Sequence, residues 1–247
     1  MMRFKYVLPV LLSLAVSASA GESLVPLLAE IAPSVGALYI QRNDGSLDFS
    51  CTVTAVDKHD AEVVLLTAHH CVSKDVAYLI SFDGKRFYAA SVWKIPHDQV
   101  DGNAYPRRFG EPATDMALFL AKVEGEVPSV PFSDAEVPIG TRIVTMQFPL
   151  GVTKVGYEGL IAGRMSRPGS EKDGYLILQT FGAPGSSGAA VITTESKEVI
   201  GVLVSGVGGE TGLPVIFATP ATYRKYLCDV STPAESEACK RQEDKPE

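Results

Sequence analysis

Short runs of apolar and β-branched residues dominate the hydrophobic pattern of the chain. Turn residues such as Asp44-Gly45 and Asp83-Gly84 separate the runs, which is typical of strands joined by tight turns. The runs cover residues 35–40, 63–68, 76–82, 87–93, 116–123, 142–148, 175–180, 198–206 and 213–219. Many short strands with almost no helical periodicity predict an all-β fold, either a barrel or a sandwich.

Two stretches have a helical pattern instead. Near the C-terminus, Thr219 can cap a helix, Pro220 suits its first position, and apolar residues fall on one face as far as Leu227. A second helical pattern covers residues 22–31, although Pro26 lies inside it.

The segment 124–138 has three prolines, four acidic residues and little periodicity. It indicates a connection between two β halves, each of a normal domain size. We therefore expect an N-terminal β domain at 21–125, a C-terminal β domain with its helix at 126–227, and a tail at 228–247.

The first twenty residues have the pattern of a secretory signal peptide. Arg3 and Lys5 precede an apolar run from Tyr6 to Val16, and Ala18-Ser19-Ala20 supplies small residues for cleavage before Gly21. The apolar run is shorter than the roughly 20 residues that a membrane anchor needs. No later segment has the length and apolarity of a membrane span. The pattern predicts an exported protein, periplasmic or extracellular.

Charge argues against one class of partner. Without Arg3 and Lys5, the 22 basic residues fall to 20 against 29 acidic ones, for a net charge of about −9. Proteins that bind nucleic acid neutralise phosphates with Lys and Arg, so we expect no nucleic-acid partner.

All four cysteines lie in the part predicted to be exported: Cys51, Cys71, Cys228 and Cys239. An even number in an oxidising compartment predicts two disulfides, although three pairings are possible. The pairing local in sequence joins the first two and the last two. A zinc site built from Cys51, His69, His70 and Cys71 is the alternative, but the paired C-x-x-C spacing is absent.

Three polar residues stand next to apolar strands, in the order His70, Asp115 and Ser187. A serine hydroxyl needs a base to take its proton, and neutral imidazole is such a base near pH 7. Gly185 allows a tight turn in which the amides of Gly185 and Ser187 converge, and Gly188 is expected to keep the other side uncrowded. Taken alone, the Gly–Ser stretch is also typical of a plain turn.

These contexts resemble the motifs of chymotrypsin-fold serine proteases. Thr67–Cys71 resembles their T-A-A-H-C, Thr114–Leu118 their D-I-A-L segment, and Gly185–Gly188 their G-D-S-G. Residues 201–206 are similar to the strand that holds the substrate backbone, and 215–227 to the closing strand and C-terminal helix. The similarity spans most of the mature chain, with Cys51 placed like the partner of Cys71.

The resemblance implies two antiparallel six-stranded β-barrels with the active site between them. It implies a secreted serine endopeptidase with His70 as general base, Asp115 orienting it and Ser187 as nucleophile. The amides of Gly185 and Ser187 would form the oxyanion hole, and His69 occupies a position that usually holds a small residue. The substrates would be proteins or peptides, and no cofactor or metal is implied; the oligomeric state is left open.

The chain departs from the family pattern around the nucleophile. Ala189 and Ala190 replace a glycine and a proline, and Ser186 replaces the aspartate that the digestive branch uses when a new N-terminus inserts. We therefore expect no activation by that route and a compact, bacterial type of enzyme.

The resemblance also assigns a substrate pocket. Phe181, six residues before the nucleophile, would lie at the base of the primary pocket, with Ser205 and Gly206 beside the substrate. No acid occupies the base, so we expect small or apolar side chains to be preferred over Lys or Arg.

Three alternatives remain beside the protease. A catalytically silent relative would bind peptides or proteins with the same fold, and it would be free to lose any of the three residues. An α/β-hydrolase esterase needs G-x-S-x-G and the order Ser, acid, His, but position 189 is Ala. Periplasmic chaperone-proteases carry a PDZ domain after the barrels, and the chain has only about 20 residues beyond Leu227, too few for a domain.

Overall fold

The computed structural model describes residues 23–73, 75–94, 115–133, 135–167, 170–208 and 214–220. The predicted signal peptide, the segment 95–114, the tail with Cys228 and Cys239, and the predicted C-terminal helix beyond Pro220 lie outside these residues. Pro220, predicted as the first helical position, is instead the last residue of a strand, where it pairs with Gly201. Strands dominate the described part, which confirms the predicted all-β class.

The first barrel closes in the order β1-β2-β3-β6-β5-β4, and every neighbouring pair is antiparallel. Its strands are β1 Val35–Gln41, β2 Leu47–His59, β3 Glu62–Thr67, β4 Ala77–Ser81, β5 Tyr88–Lys94 and β6 Ala117–Ala121. Leu38, Leu65 and Phe119 are completely buried in its interior.

The second barrel closes in the order β10-β11-β12-β9-β8-β7, again with antiparallel pairs throughout. Its strands are β7 Arg142–Gln147, β8 Val155–Arg167, β9 Ser170–Gln179, β10 Ala190–Thr193, β11 Val199–Gly208 and β12 Pro214–Pro220. Ile143, Leu176 and Ile216 belong to its own buried cluster. The two six-stranded barrels implied by the resemblance are therefore present.

Each of the apolar runs in the sequence coincides with a strand, but β2, β8 and β10 were not predicted. In β2, polar Thr52 and Thr54 occupy fully buried positions and obscure the hydrophobic pattern. In β8, glycines interrupt the apolar residues; at Gly159 a Cβ atom would lie 2.3 Å from the Gln179 carbonyl oxygen. Strand β10 has only four residues and follows a stretch of small ones.

The helix α1, Val25–Ile31, confirms the helical pattern at 22–31 and begins later than that pattern. Pro26 lies in its first turn, where a missing N–H costs no intrahelical hydrogen bond. The helix packs on the second barrel: Lys197 Nζ is 2.6 Å from Glu30 Oε2, and Leu28 fills the space above Gly156. Within the described residues, no helix is long and apolar enough to cross a membrane.

The connection between the barrels is packed against both of them. The amide of Val130 donates to the Ala55 carbonyl of β2 at 2.9 Å, and Val199 of β11 donates to Pro131 at 2.8 Å. Phe132 is buried and forms a parallel bridge with Val199. The proline-rich segment therefore holds the two barrels together rather than serving only as a spacer.

Candidate active site

The strand register of the first barrel brings His70 and Asp115 together. β3 and β6 are antiparallel, and Thr67 at the end of β3 pairs with Ala117 at the start of β6. His70 lies three residues after that pair, in a 3-10 turn over His69–Cys71, and Asp115 lies two residues before it. Residues 45 positions apart in sequence therefore meet at one edge of the barrel.

The Asp115 carboxylate contacts His70 twice. Its Oδ2 lies 2.7 Å from Nδ1 of the imidazole, and its Oδ1 accepts the backbone amide of His70 at 2.8 Å. Asp115 is buried, with 4% of its surface exposed, while the His70 side chain is 20% exposed. The two bonds fix the carboxylate relative to both the ring and the backbone, and they favour the tautomer with its proton on Nδ1.

A disulfide joins Cys51 of β2 to Cys71, the neighbour of His70, with a Cα–Cα distance of 6.2 Å. The local pairing is thus confirmed for the first two cysteines. The two sulfurs and a ring nitrogen of His70 lie within 4.8 Å of one another, a spacing that could suggest a metal. Zinc binds thiolates, and the disulfide consumes both, so these sulfurs cannot hold it.

Ser187 lies in the turn before β10, against the same strand β2 that carries Cys51. Its carbonyl oxygen accepts the amide of Thr52 at 2.9 Å. The site is crowded at Gly188, where a Cβ atom would lie 2.2 Å from both the Thr52 carbonyl and Thr67 Oγ1. As expected, the absence of a side chain at Gly188 is what makes room here, because two backbones and a hydroxyl meet at this point. Thr67 and Ala68 lead directly to His70, so the turn that carries Ser187 and Gly188 packs against the segment that carries His70.

Nearly every polar backbone group of the turn around Ser187 is bonded. The carbonyls of residues 183 to 187 accept, in order, the amide of Ser186, the amide of Leu150, the hydroxyl of Thr52, the amide of Ala189 and the amide of Thr52. Among the described residues, no acceptor pairs with the amides of Gly185 and Ser187. Both residues are half-buried and flank Ser186, whose own amide is bonded, so these two amides can donate to an acceptor from outside the turn.

The turn accommodates Ser186 and Ala189, which depart from the family pattern, as well as Gly185, which keeps it. Gly185 has φ +90°, a left-handed conformation that glycine adopts without strain. The hydroxyl of the buried Ser186 accepts the Ala183 amide at 3.1 Å, so this serine caps its own turn. Ala189 is fully buried in the second core with no left-handed backbone, and its methyl group is accommodated.

The residues assigned to the pocket lie on neighbouring segments of the second barrel. The Phe181 ring is 45% exposed and stacks on Tyr157 with centroids 4.8 Å apart, and its carbonyl accepts Gln147 Nε2 at 2.9 Å. Ser205 and Gly206 lie on β11, paired with Phe217 and Ile216 of β12. Their role toward a substrate stays a prediction.

Sequence reasoning missed one residue of the site, Thr52. Its hydroxyl donates to the Gly185 carbonyl at 2.8 Å and accepts the Phe148 amide at 3.0 Å. A threonine in a strand gives no signal of such a role. Only its position directly after Cys51 could have drawn attention to it.

Comparison with known proteins assigns the fold and the family. A family model described as the trypsin-like peptidase domain matches residues 50–202, a range that includes His70, Asp115 and Ser187. The chain belongs to the trypsin-like peptidase family. It is accordingly a serine protease of the trypsin fold, as the resemblance implied.

One similar solved structure is that of the HtrA-type protease AlgW with a decapeptide. The two share 16% sequence identity with a TM-score of 0.64, and the match covers 86% of this chain and 69% of the other. At this identity the likeness concerns the fold alone. No curated protein sequence matches the chain.

Proposed function

We propose that this trypsin-fold protease is an exported endopeptidase that cleaves peptide bonds with His70, Asp115 and Ser187. The observation that carries the proposal is the double hydrogen bond from His70 to the buried Asp115 carboxylate. With Nδ1 donating to Asp115, the ring presents the lone pair of Nε2, which is the acceptor that a serine nucleophile needs.

In the proposed reaction, Ser187 Oγ attacks the peptide carbonyl carbon while His70 takes the hydroxyl proton. The carbonyl oxygen becomes an oxyanion in the tetrahedral intermediate. His70 then gives its proton to the leaving amine, the C–N bond breaks, and an acyl-enzyme ester on Ser187 remains. A water molecule, deprotonated by the same imidazole, hydrolyses the ester and restores Ser187. No cofactor or metal takes part in these steps.

The amides of Gly185 and Ser187 are the proposed oxyanion hole. Among the described residues neither amide has a protein acceptor, and the carbonyls around them are bonded. Both observations support this role, because donors fixed in advance stabilise developing charge without reorganisation. The Asp115 carboxylate stabilises the imidazolium that forms at the same time.

Proteins or peptides are the proposed substrates, and the solved HtrA-type relative carries a peptide in its structure. Phe181 brings no charge to the predicted primary pocket. We therefore propose a preference for small or apolar side chains before the scissile bond, which a panel of peptides varied at that one position will measure. Strong cleavage after Arg would contradict this part of the proposal.

Labelling with a fluorophosphonate tests the proposal directly, since only an activated serine reacts. We expect one label per molecule, located on Ser187 by mass spectrometry, and none in Ser187→Ala. The control is Ser91→Ala, which removes an exposed serine hydroxyl of β5 and should react like the wild type. A folded wild-type protein that takes no label would favour the silent, peptide-binding relative.

Export is tested separately. Expression of the full-length chain with fractionation, followed by N-terminal mass spectrometry, should find a mature protein that begins at Gly21 outside the cytoplasm. Retention of Met1 in the cytoplasmic fraction would contradict the proposed export and would leave the catalytic proposal to stand on its own test.

A further inference from the structure

The hydroxyl of Thr52 joins three segments at the centre of the candidate site. Thr52 lies on β2, and none of its surface is exposed. Its Oγ1 donates to the Gly185 carbonyl at 2.8 Å and accepts the Phe148 amide at 3.0 Å, while its own amide donates to the Ser187 carbonyl at 2.9 Å. The first barrel therefore holds both carbonyls that follow the proposed oxyanion donors.

We propose that Thr52 is a positioning residue whose hydroxyl keeps the oxyanion hole formed before substrate binds. The inference rests on the proposed function, because it assigns the source of preorganisation in that same site. Thr52 does not touch the reacting atoms; it acts through the peptide unit between Gly185 and Ser186.

The geometry of the turn explains why an anchor is needed. Gly185 has φ +90° and no Cβ, so its two flanking peptides can rotate more freely than those of any other residue. A trans peptide points its carbonyl and its amide in opposite directions. The orientation of each carbonyl therefore fixes the orientation of the amide in the same plane.

Each peptide that flanks Gly185 is held by a different part of the molecule. The Pro184 carbonyl accepts the Leu150 amide at 2.7 Å, which leaves the Gly185 amide directed away from Leu150. The Gly185–Ser186 peptide is held by Thr52 Oγ1 at its carbonyl and by the Ala183 carbonyl at its amide, 2.9 Å away. Removing the Thr52 hydroxyl releases one end of that peptide.

A hydroxyl is the group that this position requires. It donates one hydrogen bond and accepts others, so Thr52 can satisfy the Gly185 carbonyl and the Phe148 amide at once. Valine has nearly the same shape but leaves both groups unpaired in a buried place, while serine keeps both bonds and loses only the methyl group. The adjacent Cys51 binds Cys71 beside His70, so two consecutive residues of β2 hold the base and the oxyanion turn.

The test compares Thr52→Val with Thr52→Ser, using steady-state kinetics on a peptide substrate with active sites counted by fluorophosphonate titration. Deleting an oxyanion donor typically costs 10²–10³ in kcat, and we expect a loss of about 10- to 100-fold in Thr52→Val, with KM changed less than about twofold. A peptidyl trifluoromethyl ketone should lose affinity by a similar factor, since its adduct places an oxygen in the hole. Thr52→Ser should stay within about threefold of the wild type.

The matched control is Thr54→Val, two residues further along the same strand. Thr54 is equally buried, and its hydroxyl accepts the Ala190 amide at 3.3 Å without reaching the Gly185 turn. We expect it to lower the melting temperature but to leave kcat per titrated site near the wild-type value. A purely structural effect of valine would lower kcat in both variants equally.

Three results would overturn the proposal: wild-type kcat in Thr52→Val, equal losses in Thr52→Val and Thr52→Ser, or an equal loss in Thr54→Val. If Thr52→Val does not fold, Thr52→Ala takes its place. A wild-type kcat in Thr52→Ala would then overturn the proposal. If the wild type itself is inert, the proposed function fails. In that case, crystal structures of the wild type and Thr52→Val still test the anchoring role of Thr52. We expect the Gly185–Ser186 peptide to rotate in the variant. A peptide in the wild-type orientation would refute the anchoring role.

Discussion

Asp115 holds His70 by its ring and by its backbone at the same time, with Oδ2 2.7 Å from Nδ1 and Oδ1 2.8 Å from the amide nitrogen. A carboxylate that bonded only the ring would leave the imidazole free to shift with its turn. Here the residue and its side chain are fixed by one buried group, so the imidazole that we propose as the base has a defined tautomer and a defined position.

Replacing Asp115 with Asn should nearly abolish activity while the fold persists. The amide has the same shape, but its NH₂ group can donate to Nδ1 and favour the wrong ring tautomer. In a Ser-His-Asp site this change costs about 10⁴ in kcat, and we expect a similar loss. Kinetics and a melting curve on the same preparation check it. A loss below about tenfold with a normal fold would show that Asp115 does not set the tautomer.

Gly188→Ala should be far more destabilising than Gly125→Ala. Both glycines have φ near +90°, +87° and +89°, so alanine pays the same left-handed strain of about 1–2 kcal/mol at each. At Gly125 a Cβ meets nothing within 4 Å, whereas at Gly188 it would lie 2.2 Å from two oxygen atoms. Overpacking adds about 1–3 kcal/mol, which urea unfolding should measure as the difference between the variants. Equal losses would refute the close contact at Gly188.

Loss of the Cys51–Cys71 disulfide should destabilise the protein by about 3 kcal/mol, the value expected in the chain-entropy model for closing a loop of about twenty residues. Urea unfolding of the Cys51→Ala/Cys71→Ala variant measures it. Adding reductant should lower the free energy of unfolding of the wild type more than that of the variant. The difference between the two losses should again be about 3 kcal/mol. If both proteins respond equally to reductant, the stabilisation comes from elsewhere in the chain.

Tyr78→Phe should flatten the loss of stability above pH 10. Burial raises the pKa of Tyr78 above its ordinary value of 10.0, although its bonds to Ser73 act in the opposite direction. The unfolded chain therefore releases the phenol proton first and binds fewer protons, so the free energy of unfolding falls as pH rises from about 10 through the folded-state pKa. Phenylalanine removes this contribution.

Urea unfolding of the wild type and Tyr78→Phe between pH 8 and about 11 measures the difference in slope. Below pH 10 the variant should be less stable by about 1 kcal/mol, because the Tyr78 hydroxyl donates to the Ser73 carbonyl at 2.9 Å. The same alkaline slope in both proteins would mean that Tyr78 ionises alike in the folded and unfolded chains.

Most of the fold follows from local patterns in the sequence. Apolar runs bounded by turn residues predicted strands such as β3 and β7, because a buried strand needs that composition wherever it lies. The prediction failed for β2, where the buried positions of Thr52 and Thr54 are polar and are satisfied by atoms of the second barrel. Their burial depends on partners more than a hundred residues away, which no local pattern contains.

The sequence by itself determined nine of the twelve described strands, the helix α1 and the identity of the residues that can carry acyl transfer. Spacing along the chain cannot say which groups meet. Only the barrel register brought Asp115 to His70, and only the contact between the barrels anchored the turn at Gly185 through Thr52. The physical reason is that residue type sets what a group can do, while hydrogen bonds between distant strands set where it is held.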